Sequence, residues 1–268
     1  MKINEFIIFL KDFYLNRNLI LQLSKNDLKS RYSGSMFGIT WAFVQPLVSI
    51  LVFWFVFQVG FRNPPVGDIE FILWFVPAFV SWNYFSDALL TSSNSLQEYS
   101  YLVKKIKFRT SILPMIKVFS STIIHLFFII FLYLIFWVYG RKPILIYLQL
   151  FYYMFSLMIL LIGLSWIVSS LSVFFKDFSQ IVNIILQIGF WLTPVFWNPK
   201  TMSPTVLKIL KLNPMYYIVG GYRATLIDRT YFWSSPNLTL YFWVVTIIIF
   251  IFGASLYRRL RVHFADIL

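Results

Sequence analysis

Cysteine is absent from the 268-residue sequence, and charged residues are scarce at 12%. The lack of cysteine excludes disulfides, thiolate metal sites and cysteine nucleophiles. The low charge excludes a water-soluble domain, in which about 25% of residues are charged. In their place the chain is 59% hydrophobic and 21% aromatic, with a mean hydropathy of +0.75. This composition is typical of an integral membrane protein and is too apolar for a disordered chain.

Signatures of catalysis are missing as well. None of the ten glycines belongs to a G-x-x-x-x-G-K-[ST] motif, so the sequence carries no P-loop for ATP. The two histidines, His125 and His263, are far apart, and no group of His, Asp and Glu has metal-ligand spacing. Titratable residues are not grouped along the chain as catalysis requires. The sequence therefore predicts a protein that is not an enzyme by itself and binds no cofactor or metal.

Long apolar segments predict six membrane-spanning helices, since each is long enough to cross about 30 Å of hydrocarbon. These segments are 38–61, 69–91, 111–139, 144–174, 178–197 and 238–257. Three ionisable residues fall within or near them, namely Asp87, Lys117 and His125. Charged groups are costly at membrane depth, which favours a functional role for each. The alternatives are contact with water at the span ends for Asp87 and Lys117, and a neutral, hydrogen-bonded ring for His125.

Positive charge is unevenly divided between the two sides that these spans define. Fourteen of the 23 Lys and Arg residues lie on the side of the two termini, and eight lie on the other side. The positive-inside rule therefore predicts cytoplasmic termini. The first apolar run, 3–10, is short and lacks a cleavage site, so no signal peptide is predicted. The net charge of +13 indicates contact with anionic lipid rather than with nucleic acid.

The segment before the first span predicts a helix over residues 19–32. Leu21, Leu28 and Tyr32 fall on one apolar stripe of this helix, and basic residues cover much of the rest. Such a helix is typical of one that lies on the cytoplasmic face of a bilayer.

The connection 198–237 contains two apolar pieces that are each too short to span a membrane. The pieces are interrupted by Asn213-Pro214 and by Gly220-Gly221. We interpret them as a re-entrant hairpin of two short helices that dip into the outer leaflet and turn back. An ordinary helical hairpin on the outer surface is the alternative.

Aromatic residues have two possible uses in such a protein. Interface belts and helix packing account for most of them. Aromatic faces could also line a path for a glycan. The candidate path residues are Trp41, Gln45, Phe85 and Trp191.

Several motifs, spread over nearly the whole chain, resemble those of one transporter family. They are NDLKSRYSGSMFGITWAFVQPL at 26–47, LVKKIKFRTSILP at 102–114, FFKDFSQIV at 174–182, Thr193-Pro194-Val195, Asn213-Pro214, Arg223 and HFADIL at 263–268. Together and in this order they resemble the ABC-2-type permeases that export lipid-linked polysaccharides, wall teichoic acid or O-antigen. Arg109 departs from the family pattern, which usually has proline at that position.

The resemblance implies an all-α integral membrane fold that forms a single domain over residues 1–268. The implied parts are a cytoplasmic gate-helix region at 1–36, spans one to five within 38–197, the outer re-entrant hairpin at 198–237, span six at 238–257 and a cytoplasmic tail at 258–268. The implied assembly is a homodimer with two copies of a separate ATPase, which would hold ATP and Mg, in the bacterial cytoplasmic membrane. Its implied substrate is an undecaprenyl-pyrophosphate-linked glycopolymer such as wall teichoic acid, O-antigen or capsule.

The 94–108 segment would be a coupling helix seated in the ATPase, and Asn94 or Ser95 can cap its start. The implied ATPase contacts are Tyr101, Lys104, Lys105, Phe108, Lys176 and Asp177. The implied contacts with the lipid phosphate at the gate helix are Lys29, Arg31 and Tyr32. Anionic membrane lipid is an equally good partner for these basic side chains.

Three other functions compete with this one. A drug or small-lipid exporter would have the same fold, although the 27–32 motif and the aromatic content favour a glycopolymer. A membrane-embedded glycosyltransferase or acyltransferase would need clustered acids or histidines, which the sequence does not show. A structural membrane protein would have no use for an ATPase-facing helix.

Overall fold

A computed structural model describes residues 17–62, 65–105 and 109–268. The predictions made for residues 1–16, including the start of the gate-helix region, and for Phe108 lie outside these ranges. Within the described ranges the chain is helical, and its only extended pairing is an isolated bridge between Val66 and Ile69. The predicted all-α fold is therefore confirmed for this part of the chain.

The longer helices follow the predicted apolar segments closely. They are α1 (Arg17–Arg31), α2 (Trp41–Trp54), α3 (Phe71–Ser93), α4 (Ile112–Val138), α5 (Gln149–Phe174), α6 (Phe178–Leu192), α7 (Pro204–Leu210), α8 (Pro214–Arg223) and α9 (Pro236–Leu260). Shorter helical turns are Gly38–Thr40, Ser95–Glu98, Ser100–Val103, Leu145–Leu148, Pro199–Thr201, Phe232–Ser234, Arg261–His263 and Phe264–Ile267, and the π-helical turns Phe55–Gly60 and Ala224–Asp228 continue α2 and α8.

Four helical stretches of the described residues are long and apolar enough to cross a membrane. They are Gly38–Gly60, Ile112–Val138, Leu145–Phe174 and Pro236–Ile267. The protein is thus a multi-pass membrane protein. The predicted six spans are not all confirmed, since α3 and α6 fall outside this set for different reasons.

Helix α3 is long enough to span, but it carries polar side chains such as Asn83 and Asp87. These residues are tolerated because α3 lies inside the bundle, where it packs against α4, α5, α6 and α8. Helix α6 is apolar but only 15 residues long, or about 22 Å. It ends where Thr193 adopts an extended backbone immediately before Pro194.

Over residues 94–105, the part that the structure describes, the 94–108 segment is not the single capped helix that its sequence suggested. It forms two short turns, Ser95–Glu98 and Ser100–Val103, separated at Tyr99. Asn94 makes no side-chain capping bond, and the Ser95 hydroxyl donates backward to the Ser92 carbonyl instead. The capping prediction was wrong because α3 runs almost directly into this segment, leaving no free helix start to cap.

The 198–237 connection contains two helices of different character. Helix α7 is largely exposed, whereas α8 is mostly buried against α3, α5 and α9. Asn213 begins α8 by accepting a hydrogen bond from the amide of Met215. The predicted interruption at Gly220 and Gly221 was wrong, since α8 continues through both glycines to Arg223. A Cβ on Gly221 would lie 2.2 Å from the Tyr153 ring. That glycine therefore serves helix packing. The re-entrant depth of the hairpin stays a prediction.

Helices α5 and α9 approach closely at two glycines. A Cβ on Gly253 would lie 2.3 Å from the carbonyl oxygen of Gly163, and a Cβ on Gly163 would lie 2.8 Å from the Phe250 Cα. Neither neighbour can yield, because both are backbone atoms. Small residues at such contacts let membrane helices pack backbone to backbone.

We expect Gly253→Leu to force α5 and α9 apart and to destabilise the fold by about 3 kcal/mol. The unfolding midpoint of the detergent-purified protein should fall clearly, measured by intrinsic tryptophan fluorescence. Gly220→Ala is the matched control, because nothing lies within 4 Å of a Cβ at that helical position. An unchanged midpoint for Gly253→Leu would contradict the close packing of α5 and α9.

Candidate functional site

Helix α1 rests on α4 through small polar residues. The Ser120 hydroxyl donates to the Ser24 carbonyl at 3.0 Å, and the Ser24 hydroxyl approaches the Ile116 carbonyl at 3.3 Å. The buried face of α1 consists of Ile20, Ser24, Asp27 and Leu28. The predicted apolar stripe was partly wrong, because Leu21 is exposed while the charged Asp27 is buried.

Asp27 lies at the centre of a group of ionised side chains. One of its carboxylate oxygens accepts from the Lys117 ammonium at 2.6 Å and from the Tyr99 hydroxyl at 2.8 Å. The other oxygen accepts from the Arg31 guanidinium at 3.3 Å. The Asp27 side chain is only 1% exposed. These contacts join α1 to α4 and to the 94–108 segment through one carboxylate.

Lys117 bridges two acids from different parts of the chain. Its ammonium group pairs with Asp27 on α1 and with Glu98 in the 94–108 segment, and its side chain is 4% exposed. It also lies 5.2 Å from the ring centroid of Tyr99. The charge is thus enclosed by two carboxylates and an aromatic face, which offsets the cost of its burial.

Arg31 extends the group to α3. Its guanidinium donates to both carboxylate oxygens of Asp87, at 3.1 and 3.2 Å. The Ser121 hydroxyl of α4 donates to the same carboxylate. We call Asp27, Arg31, Asp87, Glu98 and Lys117 the charge cluster. Its members come from α1, α3, α4 and the 94–108 segment, so it joins four elements at one end of the bundle.

The electrostatics of the charge cluster keep Asp27 ionised. Burial acts to raise the pKa of Asp27, but the nearby charges of Lys117 and Arg31 outweigh it and hold that pKa below its usual value. Asp87 holds the pKa of Arg31 above its ordinary value despite burial of the guanidinium. With three acidic and two basic side chains, the charge cluster has a formal net charge of −1.

The three predicted gate residues fall into two environments. Arg31 belongs to the charge cluster, and the neighbouring Tyr32 lines the wall of a partly open cavity described below. Lys29 is exposed and lines a groove of about 490 Å³ with Lys25, Gln22 and Ile123 of α4. The structure therefore brings Arg31 and Tyr32 together beside Asp87, whereas Lys29 lies apart from them. The predicted contact of these three residues with lipid phosphate stays a prediction.

The predicted ATPase contacts lie on exposed surface where they fall within the described residues. Tyr101 is 60% exposed, and Lys104, Lys105, Lys176 and Asp177 are exposed too. The Gln97 amide donates to the Ser172 carbonyl at 2.8 Å, which places the 94–108 segment beside the end of α5. Lys176 and Asp177 follow directly in the turn after α5, at the same end of the bundle.

A partly open cavity of about 410 Å³ lies between α2, α3, α4 and α6. Among the predicted path residues only Gln45 lines it. Phe85 is buried in helix packing beside Trp82, with ring centroids 5.3 Å apart. Trp41 and Trp191 are exposed on the outside of the bundle. We call this space the polar cavity, because carboxamide, hydroxyl and carboxylate groups share its wall with aromatic rings.

Sequence reasoning missed the charge cluster. It weighed Asp87, Lys117 and His125 one at a time and found no grouped acids, whereas folding gathers three acids and two cations. The available signal was the Asp27 and Arg31 pair at i and i+4, which indicates a local ion pair. His125 differs from the other two, because its ring bonds the Tyr222 hydroxyl at 2.7 Å and stacks on Tyr84 in the bundle interior.

Long apolar helices, a polar cavity among them and a charge cluster at one end define a polytopic helical membrane protein of transporter type. The chain belongs to the ABC-2 type transporter family, which it matches over residues 18–227. That match includes every member of the charge cluster and ends just before α9.

Individual relatives are similar over almost the whole chain. An O-antigen export system permease protein RfbA of Klebsiella pneumoniae is 25% identical over 252 residues, covering 94% of this chain and 95% of the relative. The protein of the same name in Myxococcus xanthus is 24% identical over 267 residues, covering 97% and 99%. The predicted family is therefore confirmed.

Proposed function

We propose that this chain is the transmembrane permease subunit of an ATP-driven exporter of a lipid-linked glycopolymer. The support is the family membership together with relatives named O-antigen export permeases over nearly their full length. The undecaprenyl-pyrophosphate carrier is a sequence-based prediction that belongs to this proposal. Wall teichoic acid and capsule stay within the substrate class beside O-antigen.

The proposed assembly is a homodimer in the bacterial cytoplasmic membrane with both termini in the cytoplasm. Helices α3 and α6 complete six spans, because α3 is shielded by its neighbours and the chain after α6 continues into buried structure at Val195. ATP and Mg bind to two copies of a separate ATPase, and this subunit contributes no catalytic group.

The charge cluster is the observation that carries the proposed mechanism. Glu98 and Tyr99 belong to the 94–108 segment, and both contact the pair formed by Lys117 and Asp27. A push on that segment would therefore move α1, α3 and α4 as one rigid body rather than as three independent helices. Transport is driven when the partner ATPase closes on ATP and moves this body in each copy.

The proposal is tested by asking whether a P-loop ATPase is encoded beside this chain and by co-expressing that ATPase with the tagged chain. We expect equal amounts of the two subunits to co-purify, with vanadate-sensitive ATP hydrolysis and export of surface glycan. Failure to recover any ATPase with the intact chain would contradict the proposed function.

Tyr101→Asp probes the ATPase contact in the same experiment. The ring is exposed, so an added charge should leave the fold intact while weakening a desolvated contact with the partner. We expect co-purification of the ATPase to fall about tenfold or more. Lys208→Asp on the exposed helix α7 is the control and should not change it. Equal recovery with both variants would show that the 94–108 segment is not the ATPase contact.

A further inference from the structure

The helical stretch that contains α9 continues beyond Leu260 in two short turns. We call residues 261–268 the 261–268 segment. Leu260, Phe264 and Leu268 are four positions apart, which puts them on one helical face. Phe264 is fully buried, the two leucines are partly buried, and the residues between them are exposed. The 261–268 segment is therefore held against the protein by one apolar face.

Phe264 is the centre of that contact. Its ring centroid lies 5.3 Å from that of Tyr257 on α9 and 6.2 Å from that of Phe174 at the end of α5. Phe174 in turn lies two positions before Lys176. The turn that begins at Phe264 also packs against the Ser100–Val103 turn. This turn thus lies beside both parts of the chain that were predicted to contact the ATPase.

The 94–108 segment is held in two ways. Glu98 and Tyr99 make contacts within the charge cluster. The Ser100–Val103 turn, which carries the exposed Tyr101, contributes no member to that cluster. Apart from the turn before it, the described element on which it chiefly packs is the Phe264–Ile267 turn. The position of Tyr101 therefore depends more on that turn than on the ion pairs.

A single helical turn has almost no stability of its own, because isolated helices of fewer than about 12 residues are marginal in water. It keeps its place through what it packs on, and it opens locally when that support is lost. Phe264 is a large apolar side chain with 0% exposure, so it fixes its own turn against α5 and α9. A firmly placed Ser100–Val103 turn passes a push on to the charge cluster, whereas a loose one absorbs the push by local movement.

We propose that Phe264 is a positioning residue that holds the Ser100–Val103 turn in place and so couples the ATPase to the bundle. This inference rests on the proposed function, since it takes the 94–108 segment as the surface on which the ATPase acts. It gives the 261–268 segment a role beside that of the charge cluster. The charge cluster links the 94–108 segment to α1, α3 and α4, and the turn of Phe264 links it to α9 and the end of α5.

Phe264→Ala tests the inference in the complex co-expressed with the ATPase. The change leaves the close packing of α5 and α9 at Gly163 and Gly253 untouched. We expect the amides of residues 95–103 to exchange with deuterium about tenfold faster, measured by mass spectrometry, while those of α4 keep the parent rate. Glycan exported per ATP hydrolysed should fall about 2- to 30-fold, the range of couplings that a single residue transmits. This ratio does not depend on how much complex folds, so a purely structural role would not change it.

Ile267→Ala is the matched control, since it shortens an exposed side chain in the same turn and should change neither quantity. Phe264→Leu keeps an apolar side chain and should show smaller changes of the same sign, so it decides the question if Phe264→Ala aggregates. Parent exchange rates at 95–103, an unchanged export ratio, or equal effects of Ile267→Ala would each overturn the inference. Failure of the parent chain to recover the ATPase or to export glycan would instead contradict the proposed function.

Discussion

Lys117→Met is expected to separate ATP hydrolysis from transport and to destabilise the protein by about 3–5 kcal/mol. The reason is that the substitution leaves Asp27 buried without its ammonium partner, and breaking a buried ion pair by removing one member has costs of this size. Glu98 contributes less, because its side chain is half exposed and water replaces the lost contact. The measurements are the unfolding midpoint and the ratio of glycan exported to ATP hydrolysed.

Two further variants identify the cause of the lower stability and of the separation of ATP hydrolysis from transport. Lys142→Met removes an exposed lysine and should change neither quantity. Combining Lys117→Met with Asp27→Asn removes the unpaired charge, so the double variant should be more stable than the sum of the single changes predicts. It should nevertheless stay uncoupled, because the link from α1 to the 94–108 segment is still missing. Strict additivity of the two changes would contradict the pairing of Asp27 with Lys117.

Arg223→Met is expected to disrupt the half of the bundle opposite the charge cluster. The buried Arg223 guanidinium donates to the carbonyls of Trp74, Pro194 and Val195, and it lies 4.0 Å from the Trp74 ring centroid. Removing the guanidinium leaves the buried carbonyls of Pro194 and Val195, which follow the end of α6, without a hydrogen-bond donor. Each unsatisfied group costs about 1–3 kcal/mol, so most of the protein should fail to fold or should aggregate on extraction.

Arg223→Lys distinguishes the charge from the geometry. An ammonium keeps the charge but cannot reach the same spread of carbonyls as a planar guanidinium, so we expect only partial recovery of the monodisperse protein. Lys211→Met, on an exposed residue just before α8, is the control and should behave like the parent chain. Size-exclusion chromatography and the unfolding midpoint measure both effects. Normal behaviour of Arg223→Met would show that another donor satisfies the break after α6.

The lengths of the apolar segments predicted most of the fold from the sequence. The first, third and fourth predicted spans agree with helical stretches to within one residue at each end. The sixth agrees with α9 to within three residues. Their signal is strong because lipid contact and helix packing both demand apolar side chains along the whole length. The signal is weaker for α3, where burial among other helices lets Asn83 and Asp87 replace apolar residues.

The candidate site was less predictable because its contacts join distant parts of the chain. Lys117 and Asp27 are separated by 90 positions, and no local pattern links them. The apolar stripe predicted for α1 was also partly wrong, since ion pairs rather than apolar packing decide which face of α1 is buried. The carboxamides Asn183 and Gln187 of α6 had a readable signal, two amides four residues apart in an apolar helix, but the polar cavity that they line depends on α2 and α3.

The central claim is that the charge cluster makes α1 and the 94–108 segment move as one body during the ATPase cycle. Spin labels on Leu21→Cys and Ser100→Cys, carried by one copy of the chain, measure the distance between them by pulsed electron paramagnetic resonance. We predict the same narrow distance distribution with and without trapped ATP. In Lys117→Met that distribution should broaden and shift between the two states. A shift of equal size in the parent chain would contradict the claim, because α1 and the segment would then move independently.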